Sequence, residues 1–341
     1  MQVFDRLATG AAVLALACAG CGPGAARGED NGEAASAAIV SNGVSFNGVS
    51  FNGVQLEPLH LDGLRLGGQA LALVSLQGTS LSGATPGGVM RTGNDLAGAE
   101  LAGTLSDGSA VTLRIDGVTT GSEPDILRYS VSSSVAGSDV FQPLCGAAAD
   151  GTPVAAIPLA GSWDESAGTA TSGAHNDDPG VFTLACEGYA LAKCVEFGYA
   201  PWRTVTECEA PGECGARSLA PFHQACTRML RADYCGDGTA TTRDGTQVDL
   251  WDDFGIQNDE APTWNLEAEW SADGAVCVDE TRWPTIEDGG GNVETYIQDH
   301  CPSRWRAPGC GGAGSTFFTA SGFDVPLDVR ALLRTRITDP T

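Results

Sequence analysis

The strongest constraint on the fold of this chain is the distribution of its cysteines. Of the 12 cysteines in 341 residues, Cys18 and Cys21 lie near the start and no other occurs before Cys145. All seven tryptophans also lie beyond Cys145. This change of composition predicts a domain boundary near residue 140. The ten later cysteines are Cys145, Cys186, Cys194, Cys208, Cys214, Cys226, Cys235, Cys277, Cys301 and Cys310.

An even number of cysteines in an exported chain predicts disulfides, here five of them, formed in an oxidising compartment. Zinc is the alternative, but none of these cysteines are paired at the Cys-x2-4-Cys spacing that lets neighbouring thiolates reach one ion. The pairs that we expect are Cys208 with Cys214, Cys301 with Cys310, and Cys194 with Cys226 across a pair of helices.

The N-terminus resembles an export signal. An apolar stretch, Leu7 to Ala17, follows Arg6 and precedes small residues, which predicts a secretory signal peptide over residues 1–20. The stretch is too short to span a bilayer, which needs about 20 residues. Residues 21–41 are mostly small and polar and predict a flexible tether.

Small residues before a cysteine at this point are typical of bacterial lipoproteins. Cys21 follows Ala19 and Gly20, and we expect it to carry the lipid; Cys18 is the alternative, and ordinary secretion without a lipid is also open. The expected location is the bacterial cell envelope, with the protein anchored in the membrane by its N-terminal lipid and facing the periplasm or the exterior.

Residues 42–103 contain a five-residue repeat. From Val44 the chain reads VSFNG, VSFNG, VQLEP, LHLDG, LRLGG, QALAL, VSLQG and TSLSG, and later NDLAG and AELAG. This period fits neither a helix nor a strand, and it resembles the pentapeptide-repeat family, so a short β-solenoid-like coil with the third residue inward is predicted. A low-complexity linker is the alternative. The third positions are Phe46, Phe51, Leu56, Leu61, Leu66, Leu71, Leu76, Leu81, Leu96 and Leu101.

The rest of the chain predicts an α+β fold. Within residues 104–140, Val111, Leu113 and Ile115 alternate with polar residues, as in one arm of a β-hairpin. Residues 141–341 form the predicted cysteine-rich domain, with an antiparallel sheet packed on two helices. The first helix is predicted from the spacing of Leu184, Gly188, Leu191 and Val195, the second begins after Ser218, and the strands surround Val248, Leu250, Leu266, Ala268 and Trp270.

The second helix ends in the run Ala232-Asp233-Tyr234-Cys235. This motif, with Ala192-Lys193-Cys194, residues 223–229 (HQACTRM) and Asp273-Gly274-Ala275-Val276-Cys277, resembles the ADYC-domain family of bacterial exported proteins over about residues 145–310. The resemblance implies no activity, substrate or catalytic residue.

The charge of the chain excludes one class of partner. Its formal net charge is -25 and its only lysine is Lys193, so nucleic acid is not expected. Acidic residues are concentrated between Arg231 and Asp299, and Asp237, Asp244, Asp249 and Asp252 are candidate calcium ligands. A solvated acidic face is the alternative, and no cofactor is predicted.

No catalytic motif is present, so a non-catalytic envelope protein that binds a protein or a glycan is the expected function. Exposed rings among Trp163, Trp202, Trp264 and Trp283 would favour a glycan, because sugars stack on aromatic faces. The rival is an exported hydrolase that uses His223 as a general base with Asp233 or Asp237. The sequence specifies neither the ligand nor the oligomeric state.

Overall fold

The structure is a computed structural model that describes residues 39–41, 45, 47–51, 54–138, 140–210, 213–307, 310 and 331–338. The predicted signal peptide, both lipidation candidates and most of the predicted tether lie outside these residues. The last three residues assigned to the tether, Ile39–Ser41, form a strand.

The helices are α1 (Ala190–Glu196), α2 (Ala220–Leu230) and α3 (Val293–His300). The strands are β1 (Ile39–Ser41), β2 (Ser50–Phe51), β3 (Val54–Gln55), β4 (Leu59–His60), β5 (Arg65–Leu66), β6 (Gln69–Ala70), β7 (Ala72–Gln77), β8 (Ser80–Ala84), β9 (Met90–Thr92), β10 (Ala99–Thr104), β11 (Ala110–Thr120), β12 (Leu127–Val135), β13 (Gln142–Pro143), β14 (Ala156–Ala160), β15 (Ser162–Trp163), β16 (His175–Asn176), β17 (Val181–Cys186), β18 (Thr204–Ala210), β19 (Glu213–Ser218), β20 (Gln247–Asp252), β21 (Asn265–Ser271), β22 (Gly274–Val278) and β23 (Leu333–Ile337).

The larger sheet is antiparallel, with the order β4-β17-β14-β12-β11-β10-β5-β6, and β13 pairs with β12. The predicted alternation is confirmed in β11, where Val111, Leu113 and Ile115 are buried and the intervening residues face outward. β11 and β12 form the predicted hairpin. The sheet joins strands from both sides of residue 140, so the change of composition there does not correspond to a break in the sheet.

The described part of the five-residue repeat contributes buried side chains to a core but does not form a coil. Every described third-position leucine from Leu56 to Leu101 lies in, or packs against, the aliphatic core of the larger sheet. The strands described between residues 54 and 103 pair antiparallel with each other or with remote strands, as β4 does with β17, so a coil is not seen among them. Glycines at positive φ, such as Gly67 at 58° and Gly78 at 58°, allow the tight reversals.

The helix pair is present, but its first helix starts later than the spacing predicts. Leu184 lies in β17, which is buried at every position, and a fully buried strand carries a continuous apolar run that periodicity cannot distinguish from a helix. α1 therefore begins at Ala190 and ends before Gly198, whose φ of 94° suits a helix C-terminus. α2 has Leu219 as its N-cap, one residue after the expected cap Ser218, whose Oγ still accepts a hydrogen bond from the Ala220 N–H at 3.1 Å.

The second sheet has the order β1-β20-β23-β21-β22 and is antiparallel throughout. It packs against α2 around a core that contains Phe222, Met229, Tyr234 and Trp270. The predicted strands at 247–252 and 265–278 are confirmed. The sequence did not predict α3 or β23. The fold is α+β, as expected.

Four disulfides join described cysteines. Cys194–Cys226 is confirmed and links α1 to α2, with the two Cα atoms 5.7 Å apart. The pairing of Cys301 with Cys310 is wrong. The described disulfides are Cys145–Cys186, Cys194–Cys226, Cys235–Cys301 and Cys277–Cys310.

Backbone pairing explains why Cys310 does not reach Cys301. The segment after α3 runs beside β22, where Trp305 bridges Val278 in parallel and the Arg306 N–H donates to the Val278 carbonyl at 2.7 Å. This course carries Cys310 to Cys277. In the β18–β19 hairpin, Cys208 lies opposite Cys214, which is disulfide-bonded; the Cys208 side chain lies outside the described part, so that pairing stays a prediction.

Candidate functional site

The Ala232-Asp233-Tyr234-Cys235 motif turns the chain sharply at the end of α2. Ala232 is fully buried in a left-handed conformation, with φ at 49°, and Cys235 is bonded to Cys301 beyond α3. Asp233 and Tyr234 are also buried. The motif therefore fastens the helix pair to the C-terminal part of the domain.

Asp233 is held by partners from its own segment. Its Oδ2 atom forms an ion pair with Arg228 and accepts the Gly238 N–H at 3.0 Å, and its Oδ1 accepts the Asp237 N–H at 3.1 Å. Burial raises the pKa of the Asp233 carboxyl, and Arg228 opposes that shift. Because its oxygens are used inside the fold, we assign Asp233 a structural role.

Tyr234 belongs to a second buried polar group. Its hydroxyl donates to Glu267 Oε1 at 2.6 Å and accepts the Arg282 N–H at 3.2 Å. Arg282 in turn binds both carboxylate oxygens of Glu267, at 2.5 and 2.8 Å. Burial raises the pKa of Tyr234 well above its ordinary value, so the hydroxyl stays protonated.

His223, the candidate general base, is buried between the helices. Its Nε2–H donates to the Leu191 carbonyl at 3.0 Å, and burial lowers the pKa of His223 to about 4. Among the described residues, no hydrogen bond joins His223 to Asp233 or Asp237. The Asp237 carboxylate instead accepts the Tyr296 hydroxyl at 2.5 Å. The three candidates therefore do not form one catalytic group.

The candidate calcium ligands are not brought together either. Asp252 accepts the Gln257 N–H and the Tyr199 hydroxyl, each at 2.8 Å, and Asp249 accepts the Ala261 N–H at 3.0 Å. Asp244 is exposed, and Asp237 is bound to Tyr296. Within the described ranges no group of three or more His, Cys, Asp or Glu side chains could hold a metal ion.

None of the four tryptophans proposed for glycan stacking is exposed. Trp163 is buried, with 8% of its surface exposed, and Trp202, Trp264 and Trp283 are partly buried. Trp163 donates to Gln224 at 2.9 Å, and Trp283 donates to Thr246 at 2.8 Å beneath the Arg243 guanidinium. These rings belong to the packing of the domain.

A pocket of about 270 Å³ forms the site that sequence reasoning missed. Its walls come from the segment that joins β3 to β4, from the residues after β15, and from β17. The lining residues are Asn47, Gln55, Leu56, Glu57, Pro58, Leu59, Trp163, Asp164, Glu165, Ser166, Phe182, Thr183 and Leu184.

Glu165 is the lining residue whose pKa is shifted most. The Asn47 side-chain Nδ2 donates to Glu165 Oε1 at 2.7 Å, and the Asn47 Oδ1 accepts the Val49 N–H at 2.8 Å, which fixes the orientation of the amide. Burial raises the pKa of Glu165 to about 7; Arg231 opposes the shift and Glu57 adds to it. The Glu165 carboxyl therefore exchanges its proton near neutral pH.

A comparison with protein-family models matches residues 93–284 to the ADYC domain, which is more than half of the chain. The chain belongs to the ADYC domain family. The ADYC region starts earlier than the predicted residue 145 and ends before 310, so it includes β10, β11 and β12. No curated protein and no solved structure matches the chain. In the part of the chain that the structure describes, no helix is long and apolar enough to cross a bilayer.

The pocket lies where the ADYC region meets the residues that precede it. Trp163, Glu165 and Phe182 belong to the matched region, whereas Asn47 and Glu57 lie before it. No single motif therefore marks the site. The only sequence signal was the repeat, whose leucines Leu56 to Leu81 anchor this preceding segment to the sheet.

Proposed function

We propose that this ADYC protein is an exported bacterial envelope protein that binds a ligand, a protein or a glycan, without transforming it. The observation that carries the proposal is a contrast between polar groups. Asp233, Tyr234 and His223 are used inside the fold, whereas carboxylates of Glu57 and Glu165 line an open pocket. A pocket with a few polar groups and a perturbed carboxyl is the usual form of a binding site.

The proposed location rests on the N-terminal sequence and on the disulfides. Residues 1–20 serve as the signal peptide, Cys21 carries the lipid, with Cys18 as the alternative, and the oxidised cysteines suit a compartment outside the cytosol. Mass spectrometry of the mature protein should find a lipidated Cys21, and Cys21→Ser should release the protein from the membrane fraction. An unmodified Cys21 within an intact N-terminus would contradict this part of the proposal.

The periodic segment 42–103 completes the proposed binding site. Its leucines pack on the larger sheet, and residues 55–59 form one wall of the pocket. The resemblance to a pentapeptide repeat is then explained by leucines that recur every five residues and pack in the core beside the ADYC region.

A photo-crosslinking amino acid can test the binding function in intact cells. Gln55 is exposed and lines the pocket, and Glu100 is also exposed but does not line it. We expect the probe at position 55 to capture a partner that the probe at position 100 does not, as identified by mass spectrometry. Identical captures at both positions, or none at position 55, would contradict the proposal.

The geometry does not favour the rival hydrolase. A general base needs access to substrate, and His223 is 1% exposed with its Nε2 bonded to a backbone carbonyl. We therefore propose no second function.

A further inference from the structure

The charge of the pocket restricts its ligand. Three of its lining residues are acidic, namely Glu57, Asp164 and Glu165. No lysine or arginine is among the lining residues. An anionic ligand would have to approach three carboxyls with no cation among the lining residues, although Arg231 acts on Glu165 from outside the lining, so the pocket disfavours phosphates and carboxylates.

Two of these carboxyls are available to a ligand. Asp164 is occupied by its own loop, because its Oδ1 accepts the Ser166 N–H at 3.0 Å and the Ser166 hydroxyl at 2.6 Å. Glu165 Oε1 accepts only from Asn47, and its Oε2 accepts no hydrogen bond from the residues that the structure describes. The Glu57 carboxylate likewise has no described hydrogen-bond or ion-pair partner.

The rest of the lining is partly polar and partly apolar. Asn47, Gln55, Ser166 and Thr183 are polar, whereas the apolar residues Leu56, Leu59, Phe182 and Leu184 are at most 8% exposed. A volume of about 270 Å³ lies near the lower end of small-molecule pockets, about 300 Å³, so the ligand is a small molecule or one side chain.

We propose that the pocket binds an alkylammonium group, with the cation at the carboxyls of Glu57 and Glu165. The inference rests on the proposed binding function and names its ligand class. The group can come from a free diamine or from a lysine side chain of a partner protein; both offer an ammonium on a flexible apolar stem.

The proton equilibrium of Glu165 gives this site a pH dependence with a definite sign. An ammonium binds the ionised carboxylate, and the pKa of Glu165 is about 7, so affinity should rise as pH increases from 6 to 8. A lysine-type amine keeps its charge over this interval, because its pKa is about 10.4. The charged groups that act on Glu165 are Glu57, whose ionisation raises its pKa, and Arg231, which lowers it.

Titration calorimetry on the oxidised full chain tests the proposal with matched probes. Nα-acetyl-lysine amide and cadaverine carry the ammonium, Nα,Nε-diacetyl-lysine amide lacks it, and N-acetylglucosamine represents a neutral sugar. We expect binding of the first two only, stronger at pH 8 than at pH 6. Preference for the lysine amide would identify a protein side chain as the source, and preference for cadaverine a free diamine.

Two substitutions and one control locate the interaction. Glu165→Gln keeps the shape and the Asn47 contact and should weaken lysine-amide binding about tenfold or more, and abolish the pH dependence. Glu57→Gln, at an exposed position, should weaken it about two- to fivefold. Glu100→Gln removes the same charge outside the pocket and should leave affinity unchanged. Thermal melts verify folding, and Glu57→Gln remains informative if Glu165→Gln is unstable.

The failures of the two proposals are distinguishable. Equal affinity for the diacetylated probe, binding of the sugar alone, or equal losses in Glu100→Gln and Glu165→Gln would overturn the alkylammonium assignment. Absence of binding by every probe would overturn it as well. The cross-linking comparison between positions 55 and 100 decides the binding function independently.

Discussion

The two larger cores of this protein are stabilised in different ways. The core on the larger sheet is mainly aliphatic, with leucines such as Leu96 and Leu113 fully buried. The core between the second sheet and the helix pair combines aromatic rings with charges. All buried acidic residues and arginines of the described part lie between Arg228 and Arg282.

This difference teaches where the family motif acts. Aliphatic packing tolerates changes in its partners, whereas a buried ion pair is destabilising unless both members are present. Asp233 and Tyr234 each belong to such a charged group, and Cys235 is cross-linked beside them. The motif residues therefore hold the second core together through buried charged groups and a cross-link.

Asp233→Ala should have the largest effect, because it leaves the guanidinium of Arg228 buried without its carboxylate. Both side chains are at most 2% exposed, and loss of one partner of a buried pair costs about 3–5 kcal/mol. The matched control is Asp116→Ala, whose partner Arg114 is 38% exposed and whose loss should cost less than about 1 kcal/mol. Equal losses of unfolding free energy in Asp233→Ala and Asp116→Ala, measured by urea unfolding, would contradict the contrast between the cores.

Disulfide removal should affect the two cores alike. Cys145–Cys186 closes 41 residues beside the aliphatic core, and Cys194–Cys226 closes 32 beside the charged one. Loop-closure entropy predicts a loss of about 4 kcal/mol for either pair replaced by alanine. Unfolding free energies from denaturant titration measure both. A much larger loss for Cys194–Cys226 would show that the charged core depends on its cross-link beyond chain entropy.

Leu96→Ala should cost about 3 kcal/mol, since it opens a cavity in the aliphatic core. Leu96 is fully buried, whereas Leu73 is 81% exposed and serves as the control at the same residue type. Thermal and urea unfolding of Leu73→Ala should match the wild type. A loss at Leu96 as small as at Leu73 would mean that the repeat leucines do not stabilise the fold.

Local patterns in the sequence predicted much of the fold. The alternation around Leu113 and Leu250, and the hydrogen bond of Ser218 to the start of α2, each specify an element through contacts within a few residues. The five-residue period predicted the burial of leucines such as Leu81 and Leu96, but in two repeats the buried leucine is the first-position Leu59 or Leu64 rather than the third-position one. It could not predict antiparallel pairing, because strand partners such as β4 and β17 are far apart in the chain.

The site could not be predicted for the same reason. Glu57 and Glu165 belong to segments that meet only in the folded chain, and neither lies in a recognisable motif. The pairing of Cys235 with Cys301 was also missed, since sequence proximity favoured Cys310. The candidate residues taken from the sequence are His223 and several aspartates. The polar atoms of His223 and Asp233 form hydrogen bonds within the fold.

Two of the cross-links are interleaved along the chain, since Cys277 lies between Cys235 and Cys301 while its own partner, Cys310, follows both. On the proposed export route, a polypeptide oxidised in the order in which its thiols leave the translocation channel would join Cys235 to Cys277 before Cys301 emerged. Reaching the native connectivity from that state requires exchange of the bond. Production of this protein should therefore depend on a thiol isomerase, with an oxidase alone giving scrambled material.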